Sequence, residues 1–209
     1  SALYLPDMTG IELLTTLRAD AATQDLAFIL ISSETRPQVL DPVRQLGACA
    51  ILPKPFSVEA LNQALMMTLD YLSADSSLDE QGYDLEFIRV LLVDDSRSAR
   101  RYMSKVLENL GVKHIVEAEN GHDAMVLLQE NTFDLMLTDY NMPEMDGKEL
   151  IDYVRQQSWQ NQLPILMVSS ETDSGRLAAV EQAGVSGICD KPFEPAMVKA
   201  ILEKILIAR

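Results

Sequence analysis

The chain contains an internal repeat, and this feature constrains its fold more than any other. Residues 1–72 align with residues 138–209 at an offset of 137 positions, without a gap, and 21 of the 72 pairs are identical. The identities cluster in three motifs: Pro-x-Met-x-Gly at 6–10 and 143–147, Ser-Ser-Glu-Thr at 32–35 and 169–172, and Lys-Pro-Phe at 54–56 and 191–193. Chance matches would be scattered, so one structural unit is predicted to occur twice.

The repeat divides the chain into three parts. Residues 89–209 hold a complete unit, whereas residues 1–72 hold only the latter part of another. Between them, residues 73–88 contain five acidic side chains and no basic one, which predicts an acidic linker.

The complete unit alternates strands and helices. Apolar runs predict strands at 89–94, 114–118, 133–139, 163–169 and 187–190, and helical spacing predicts a helix after each, at 96–110, 121–130, 147–156, 173–183 and 195–207. The strands are rich in Val, Leu and Ile with little polar alternation, as is typical of strands buried on both faces. The pattern predicts an α/β fold with a doubly wound, five-stranded parallel sheet.

Polar residues stand at the ends of four predicted strands. Asp94 and Asp95 follow the first strand, Asp139 the third, Ser169 the fourth and Lys191 the fifth. Ligands of open α/β sheets bind beyond the carboxyl ends of the strands. Three carboxylates, a hydroxyl and an ammonium are therefore expected to meet at one edge of the sheet.

This set of groups suits phosphoryl transfer. Neighbouring carboxylates repel one another, and a hard divalent cation such as Mg²⁺ relieves that repulsion with oxygen ligands. The lysine and the serine can contact an anion beside the metal. Positioning and charge compensation supply most of the catalysis in phosphoryl transfer. With no His or Cys nucleophile nearby, an Asp carboxylate is the natural phosphoryl acceptor.

Composition excludes several other classes. The 32 acidic residues against 17 basic ones give a net charge of −15, which argues against binding nucleic acid through its phosphates. No apolar run approaches the ~20 residues that span a bilayer, and no signal peptide opens the chain. Cys49 and Cys189 are too few for a disulfide framework, so a cytoplasmic setting is expected.

Residues 89–209 resemble a bacterial two-component receiver domain, and most closely the single-domain chemotaxis response regulators. The motifs that carry the resemblance are Val93-Asp-Asp-Ser96, Glu117-Ala-x-Asn-Gly121, Asp139-x-Asn-Met-Pro143-x-Met-Asp-Gly147, Met167-Val-Ser-Ser-Glu171 and Asp190-Lys-Pro-Phe193. The resemblance implies a flavodoxin-like sheet with strand order 2-1-3-4-5.

The resemblance also assigns roles to the residues at the strand ends. It implies that Asp139 is the phosphoacceptor, that Ser169 is a switch hydroxyl and that Lys191 contacts the phosphoryl group. It further implies that Asp94 and Asp95 hold Mg²⁺ together with Asp139.

Three more positions take their expected roles from the resemblance. The backbone carbonyl of Asn141 is expected to contact the metal, and the side chains of Asn141 and Glu171 are expected to tune the lifetime of the acyl phosphate. Ile188 stands where the family often places a rotating Tyr or Phe. Because Ile lacks a polar tip, its response to phosphorylation is expected to differ.

The first unit departs further from the family pattern. Ala2 stands where the second unit has Asp139, and an alanine cannot accept a phosphoryl group. Ser32 and Lys54 keep the positions of the serine and the lysine. The first unit is therefore expected to be a degenerate receiver.

The leading functional hypothesis is signal transfer in a phosphorelay. The resemblance implies a sensor histidine kinase or histidine phosphotransfer protein as donor and an effector domain or protein as reader, docking on residues 173–207. No conventional enzyme activity is expected beyond self-phosphorylation and autodephosphorylation. The alternative is a non-catalytic scaffold or dimerisation module, and a homodimer stays open as a partner.

Two enzyme classes are weaker alternatives. Aspartyl-phosphate phosphatases of other α/β folds usually place their nucleophile at the first strand as part of Asp-x-Asp, whereas the candidate here ends the third. A nucleotide enzyme lacks support because the chain has no G-x-x-x-x-G-K-[ST] loop.

Some polar residues could have purely structural roles instead of functional ones. Asp94 or Asp95, taken alone, could cap the helix that begins near Ser96. Arg100 and Arg101 are expected on the outside of that helix.

Overall fold

The computed structural model describes residues 1–73, 85–170, 173–191 and 195–207. Its N-terminal part contains α1 (Gly10–Ala19), β1 (Ile29–Ser32), α2 (Pro37–Gln45), β2 (Ala50–Pro53) and α3 (Val58–Leu72). After a 3₁₀ turn at Leu85–Phe87 come β3 (Arg89–Val93), α4 (Arg97–Asn109), β4 (His114–Ala118), α5 (Gly121–Glu130), β5 (Leu135–Thr138), α6 (Gly147–Gln156), β6 (Ile165–Ser169), α7 (Ser174–Gln182), β7 (Gly187–Asp190) and α8 (Pro195–Ile207).

The second part forms a five-stranded parallel sheet. Its strand order is β4-β3-β5-β6-β7, which confirms the predicted 2-1-3-4-5 order and the α/β fold. The alternation of strands and helices also follows the sequence prediction, with small shifts at the ends of elements. Every residue of β5 and β6 is buried, as expected for central strands with helices on both faces.

Alternate residues of the central strands face two separate cores. Val90 and Leu92 of β3 pack towards α4 and α8, whereas Leu91 and Val93 face α5 and α6. This period of two places the sheet between two helical layers and leaves the strand ends as its accessible edge.

The N-terminal part has its own small sheet and core. Strands β1 and β2 pair in parallel, and the N-terminal residue extends this sheet, because Ile31 N donates to Ser1 O at 2.7 Å. Leu14, Leu30, Leu40 and Val43 fill a core between this sheet and helices α1 and α2.

Several local contacts recur in both parts at the offset of 137 residues. They are the bonds Gly10 N to Leu3 O and Gly147 N to Tyr140 O, the bonds Lys54 N to Ser32 O and Lys191 N to Ser169 O, the capping boxes Thr9–Glu12 and Asp146–Glu149, and the bonds from Arg18 to Gly47 O and from Arg155 to Gly184 O. Matching sequence motifs therefore form matching backbone turns.

The two parts pack directly against each other. The rings of Tyr71 and Tyr102 stack with centroids 4.9 Å apart, and Asn109 Nδ2 donates to Tyr71 O at 2.7 Å. Cys49 joins the core beneath α4 and α8.

Most of the predicted linker, residues 74–84, lies outside the described residues. Its last residues enter the core, where Leu85 and Ile88 are fully buried. None of the described helices is both long and apolar enough to cross a membrane.

The glycine that ends the Pro-x-Met-x-Gly motif allows a close backbone approach. A Cβ at Gly147 would lie 2.1 Å from Asp139 O, and one at Gly10 would lie 2.4 Å from Ala2 O. A carbon and an oxygen that are not bonded cannot approach this closely. A side chain at Gly147 or at Gly10 would therefore force the backbone to move.

We expect Gly147→Ala to destabilise the protein by about 1–3 kcal/mol, the usual cost of overpacking. The free energy of unfolding from urea titration measures this effect. Gly187→Ala is the matched control, since its Cβ would meet its nearest neighbour at an ordinary 3.4 Å. Equal losses in the two variants would contradict this explanation.

Candidate functional site

Three carboxylates meet at the carboxyl edge of the five-stranded sheet. Asp94 and Asp95 follow β3 and Asp139 follows β5, and one oxygen from each lies within 4.8 Å of the others. Asp94 and Asp139 are fully buried, whereas Asp95 is exposed. The three acids therefore lie close together at this edge, as the sequence predicts.

Backbone hydrogen bonds hold the two buried carboxylates. Asp139 N donates to Val93 O at 2.9 Å, so the sheet ladder continues to the edge. Asp139 Oδ1 accepts from Tyr140 N at 2.7 Å, and Asp94 Oδ1 accepts from Ser96 N at 2.8 Å. One oxygen of each carboxylate is thereby fixed, and the second oxygen of each accepts from Lys191 Nζ.

Neither Asp94 nor Asp95 caps the following helix. The N-cap of α4 is Ser96, whose side chain accepts from Ala99 N. The two acids are therefore left for the cluster.

Lys191 lies between the two buried acids. Its Nζ donates to Asp94 Oδ2 at 2.6 Å and to Asp139 Oδ2 at 2.9 Å, and only 4% of the residue is exposed. Burial alone would lower the pKa of this ammonium, but the carboxylates of Asp94 and Asp139 outweigh burial and raise it. Lys191 is thus held charged.

The cluster keeps an excess of negative charge. Burial, with a smaller contribution from Asp139, raises the pKa of Asp94 to about 6 against the opposing effect of Lys191. One ammonium faces three carboxylates that offer only oxygen ligands, which is the donor set that Mg²⁺ prefers. The residues present therefore fit a hard divalent cation, with exposed Asp95 on the solvent side.

Arg100 is buried beside the cluster, so the expectation that it lies outside α4 is wrong. Its guanidinium donates to Asp94 O at 2.8 Å, to Glu117 Oε2 at 3.0 Å and to Glu119 Oε1 at 2.6 Å. Several fixed donors let one arginine tie the end of β3 to the acids around the end of β4. Glu117 and Glu119, near the end of the next strand, were the sequence signal that could have indicated the burial of Arg100. Arg101 is exposed, as predicted, and pairs with Asp25.

Three of the remaining predicted residues are described by the structure. Ser169 is buried at the end of β6, and its backbone oxygen accepts from Lys191 N at 2.9 Å. Asn141 is exposed two residues after Asp139, and Ile188 is partly buried opposite Met167. Glu171 lies outside the described residues.

The corresponding positions of the first unit form no similar cluster among the described residues. Ala2 lies against Gly10, Ser32 is buried, and Lys54 is exposed. The Lys54–Pro55 peptide bond is cis. The corresponding Pro192 lies outside the described residues.

A residue of the first unit, Gln45, enters the acidic cluster. Gln45 Nε2 donates to Asp139 Oδ2 at 3.4 Å, and Gln45 Oε1 accepts from Lys191 Nζ at 3.1 Å. Ser96 Oγ also donates to Gln45 O at 2.6 Å. No sequence pattern could have found this contact, because its partners lie 51 to 146 positions away.

We expect Asp95→Asn to weaken Mg²⁺ binding by about tenfold or more, since an oxygen ligand loses its charge while the buried acids stay in place. Isothermal titration calorimetry with Mg²⁺ measures the affinity. Asp152→Asn, which changes a partly exposed acid paired with Lys148 on α6, should bind Mg²⁺ as the parent chain does. Unchanged affinity in Asp95→Asn would contradict the expectation that Asp95 is a ligand of Mg²⁺.

Comparison with known proteins supports the family resemblance. A model of the response regulator receiver domain matches residues 90–203. The chain is 37% identical over 118 residues to the chemotaxis protein CheY of Pseudomonas aeruginosa, covering 56% of this chain and 95% of that protein. It is 36% identical over 118 residues to CheY-3 of Vibrio cholerae, covering 56% and 91%.

A solved structure agrees with these sequence matches. The chemotaxis protein CheY4 of Vibrio cholerae superposes with a TM-score of 0.52 at 35% identity, covering 57% of this chain and 98% of that one. Because the family model matches more than half of its residues, this chain belongs to the response regulator receiver domain family.

Proposed function

We propose that residues 89–209 receive a phosphoryl group on Asp139 in a phosphorelay and report it through a protein-interaction face. One observation carries this proposal: Asp139 is buried at the end of β5, with Lys191 Nζ 2.9 Å from its Oδ2 and with Asp94 and Asp95 beside it. These positions support the proposal, because a candidate nucleophile lies beside a positive charge and beside oxygen ligands that suit a cation.

The chain's residues would act on the transferred group as follows. Asp139 Oδ2 forms the new O–P bond, and the donor atom, an imidazole nitrogen in a phosphohistidine, keeps the electron pair of the bond that breaks. The Lys191 ammonium then compensates the charge of the phosphoryl oxygens, and the Ser169 hydroxyl can donate to one of them. Mg²⁺ held by Asp94, Asp95, Asp139 and the backbone carbonyl of Asn141 would neutralise further negative charge.

The partners follow from membership of the receiver domain family. The donor is a sensor histidine kinase or a histidine phosphotransfer protein, and the reader is an effector domain or protein. We place the reader on the face of α7, β7 and α8.

Phosphorylation adds a charge of about −1.5 to −2, which biases the loops at the strand ends. Ile188 cannot present a polar tip there, and Asn141 and Glu171 tune the lifetime of the acyl phosphate.

We propose a non-catalytic role for residues 1–72. The contacts that recur at the offset of 137 residues support a partial, receiver-like unit. Ala2 supplies no nucleophile at the position of Asp139, and Lys54 is exposed. The packing of Tyr71 and Cys49 on the second unit favours a scaffold within this chain. Residues 73–88 connect the two units, and the buried thiols of Cys49 and Cys189 fit a reducing cytoplasm.

We expect Asp139→Asn to abolish acid-labile labelling by ³²P-acetyl phosphate in the presence of Mg²⁺, because the amide cannot form an acyl phosphate. Asp152→Asn should be labelled as the parent chain is. Undiminished labelling of Asp139→Asn would refute Asp139 as the acceptor.

The repeated lysine offers a matched pair of variants. We expect Lys191→Ala to slow labelling by about 10²-fold, since the charge of the phosphoryl group loses its compensation, while Lys54→Ala has no effect. Initial labelling rates test both, and circular dichroism checks folding. Equal rates in the two variants would contradict the role of Lys191.

A further inference from the structure

We propose that the C-terminal end of α2 is a removable cap on the Asp139 pocket, with the side chain of Gln45 as its plug. The proposal rests on the proposed function, in which Asp139 accepts the phosphoryl group. In the docked arrangement the pocket is closed, and the C-terminal end of α2 must withdraw before a donor can reach the carboxylate.

Gln45 lies where the transferred group would go. Its Oε1 accepts from Lys191 Nζ at 3.1 Å, which is the contact expected for a phosphoryl oxygen, and its Nε2 lies 3.4 Å from Asp139 Oδ2. Asp139 Oδ1 is already bonded to Tyr140 N. Asp139 has no exposed surface in this arrangement, and Gln45 is one of the side chains that cover its Oδ2.

Contacts outside the pocket hold the plug in position. Ser96 Oγ donates to Gln45 O at 2.6 Å, which fixes the end of α2 against the start of α4. Gly47 follows with φ +70°, and a Cβ there would lie only 3.1 Å from Ser98 O. The glycine allows the chain to turn tightly against α4.

An ion pair secures the same interface farther from the acids. Arg101 Nε and Nη2 donate to the two carboxylate oxygens of Asp25 at 2.5 and 2.6 Å, and both side chains are more than 40% exposed. Exposed pairs contribute little stability. We call this Asp25–Arg101 pair the latch. It can open reversibly, and it can be changed without touching the pocket.

Docking and phosphorylation are then coupled in both directions. A donor reacts only with the fraction of molecules whose plug is withdrawn, so the apparent rate is the rate of the open form multiplied by that fraction. At equilibrium the coupling is reciprocal: docking makes phosphorylation of Asp139 less favourable by the same free energy by which the phosphoryl group weakens docking.

The first test uses the full chain with ³²P-acetyl phosphate and Mg²⁺. Gln45→Ala removes two side-chain hydrogen bonds and should raise the initial labelling rate by about tenfold. Gln63→Ala is the matched control, because Gln63 is an exposed glutamine on α3, and should leave the rate unchanged. A slower rate in Gln45→Ala would overturn the proposal, since Gln45 would then assist the reaction.

The second test exchanges the charges of the latch. Asp25→Arg places two like charges together and should raise the labelling rate about threefold, as should Arg101→Asp. The double variant restores an opposite pair and should return the rate to that of the parent chain. Equal rates in all four proteins, with Asp139→Asn unlabelled, would overturn the cap and leave the proposed function intact.

Amide hydrogen exchange tests the cap without any phosphoryl donor. Gln45→Ala should exchange faster than Gln63→Ala in residues 44–49 and at the start of α4, because the docked end of α2 opens more often. Unchanged exchange there would overturn the cap. If no protein is labelled at all, the proposed function fails and the exchange result decides the cap alone.

Discussion

The structure of the site depends on one buried ammonium between two buried carboxylates. Lys191 Nζ lies 2.6 Å from Asp94 Oδ2 and 2.9 Å from Asp139 Oδ2. Without it, two acids at the ends of adjacent strands would repel each other in a medium that solvates charge poorly. The lysine follows β7, two strands away from β5, so only a correctly ordered sheet can deliver it. The electrostatic balance of the site therefore depends on the correct strand order.

The same charge balance explains why a side chain from elsewhere can close the pocket. Gln45 carries a donor and an acceptor on one carboxamide, and it uses them on Asp139 and Lys191 respectively. A charged residue would disturb the ion pairs, whereas a neutral amide satisfies both groups. This contact adds to the packing of residues 1–72 on the second part, which Tyr71 and Cys49 also supply.

Much of the fold could be predicted from the sequence because its signals are local. Apolar runs such as 89–94 and the helical spacing of 147–156 depend on neighbours within one element, and the structure reproduces them. Arg100 shows the limit of such patterns. Its position on α4 suggests an exposed face, but its side chain reaches Glu117 and Glu119 around the next strand. That burial becomes visible only when β3 and β4 are paired.

The sequence by itself determined the repeat, the parallel sheet and the convergence of Asp94, Asp95 and Asp139 at one edge. These follow from periodicity and from the geometry that all parallel sheets share. Only the tertiary structure decided that Gln45 enters the cluster and that Tyr71 stacks on Tyr102. Both contacts join surfaces of two parts of the chain that are far apart in sequence. The way two such surfaces fit depends on their shapes in space, which no spacing along the chain records.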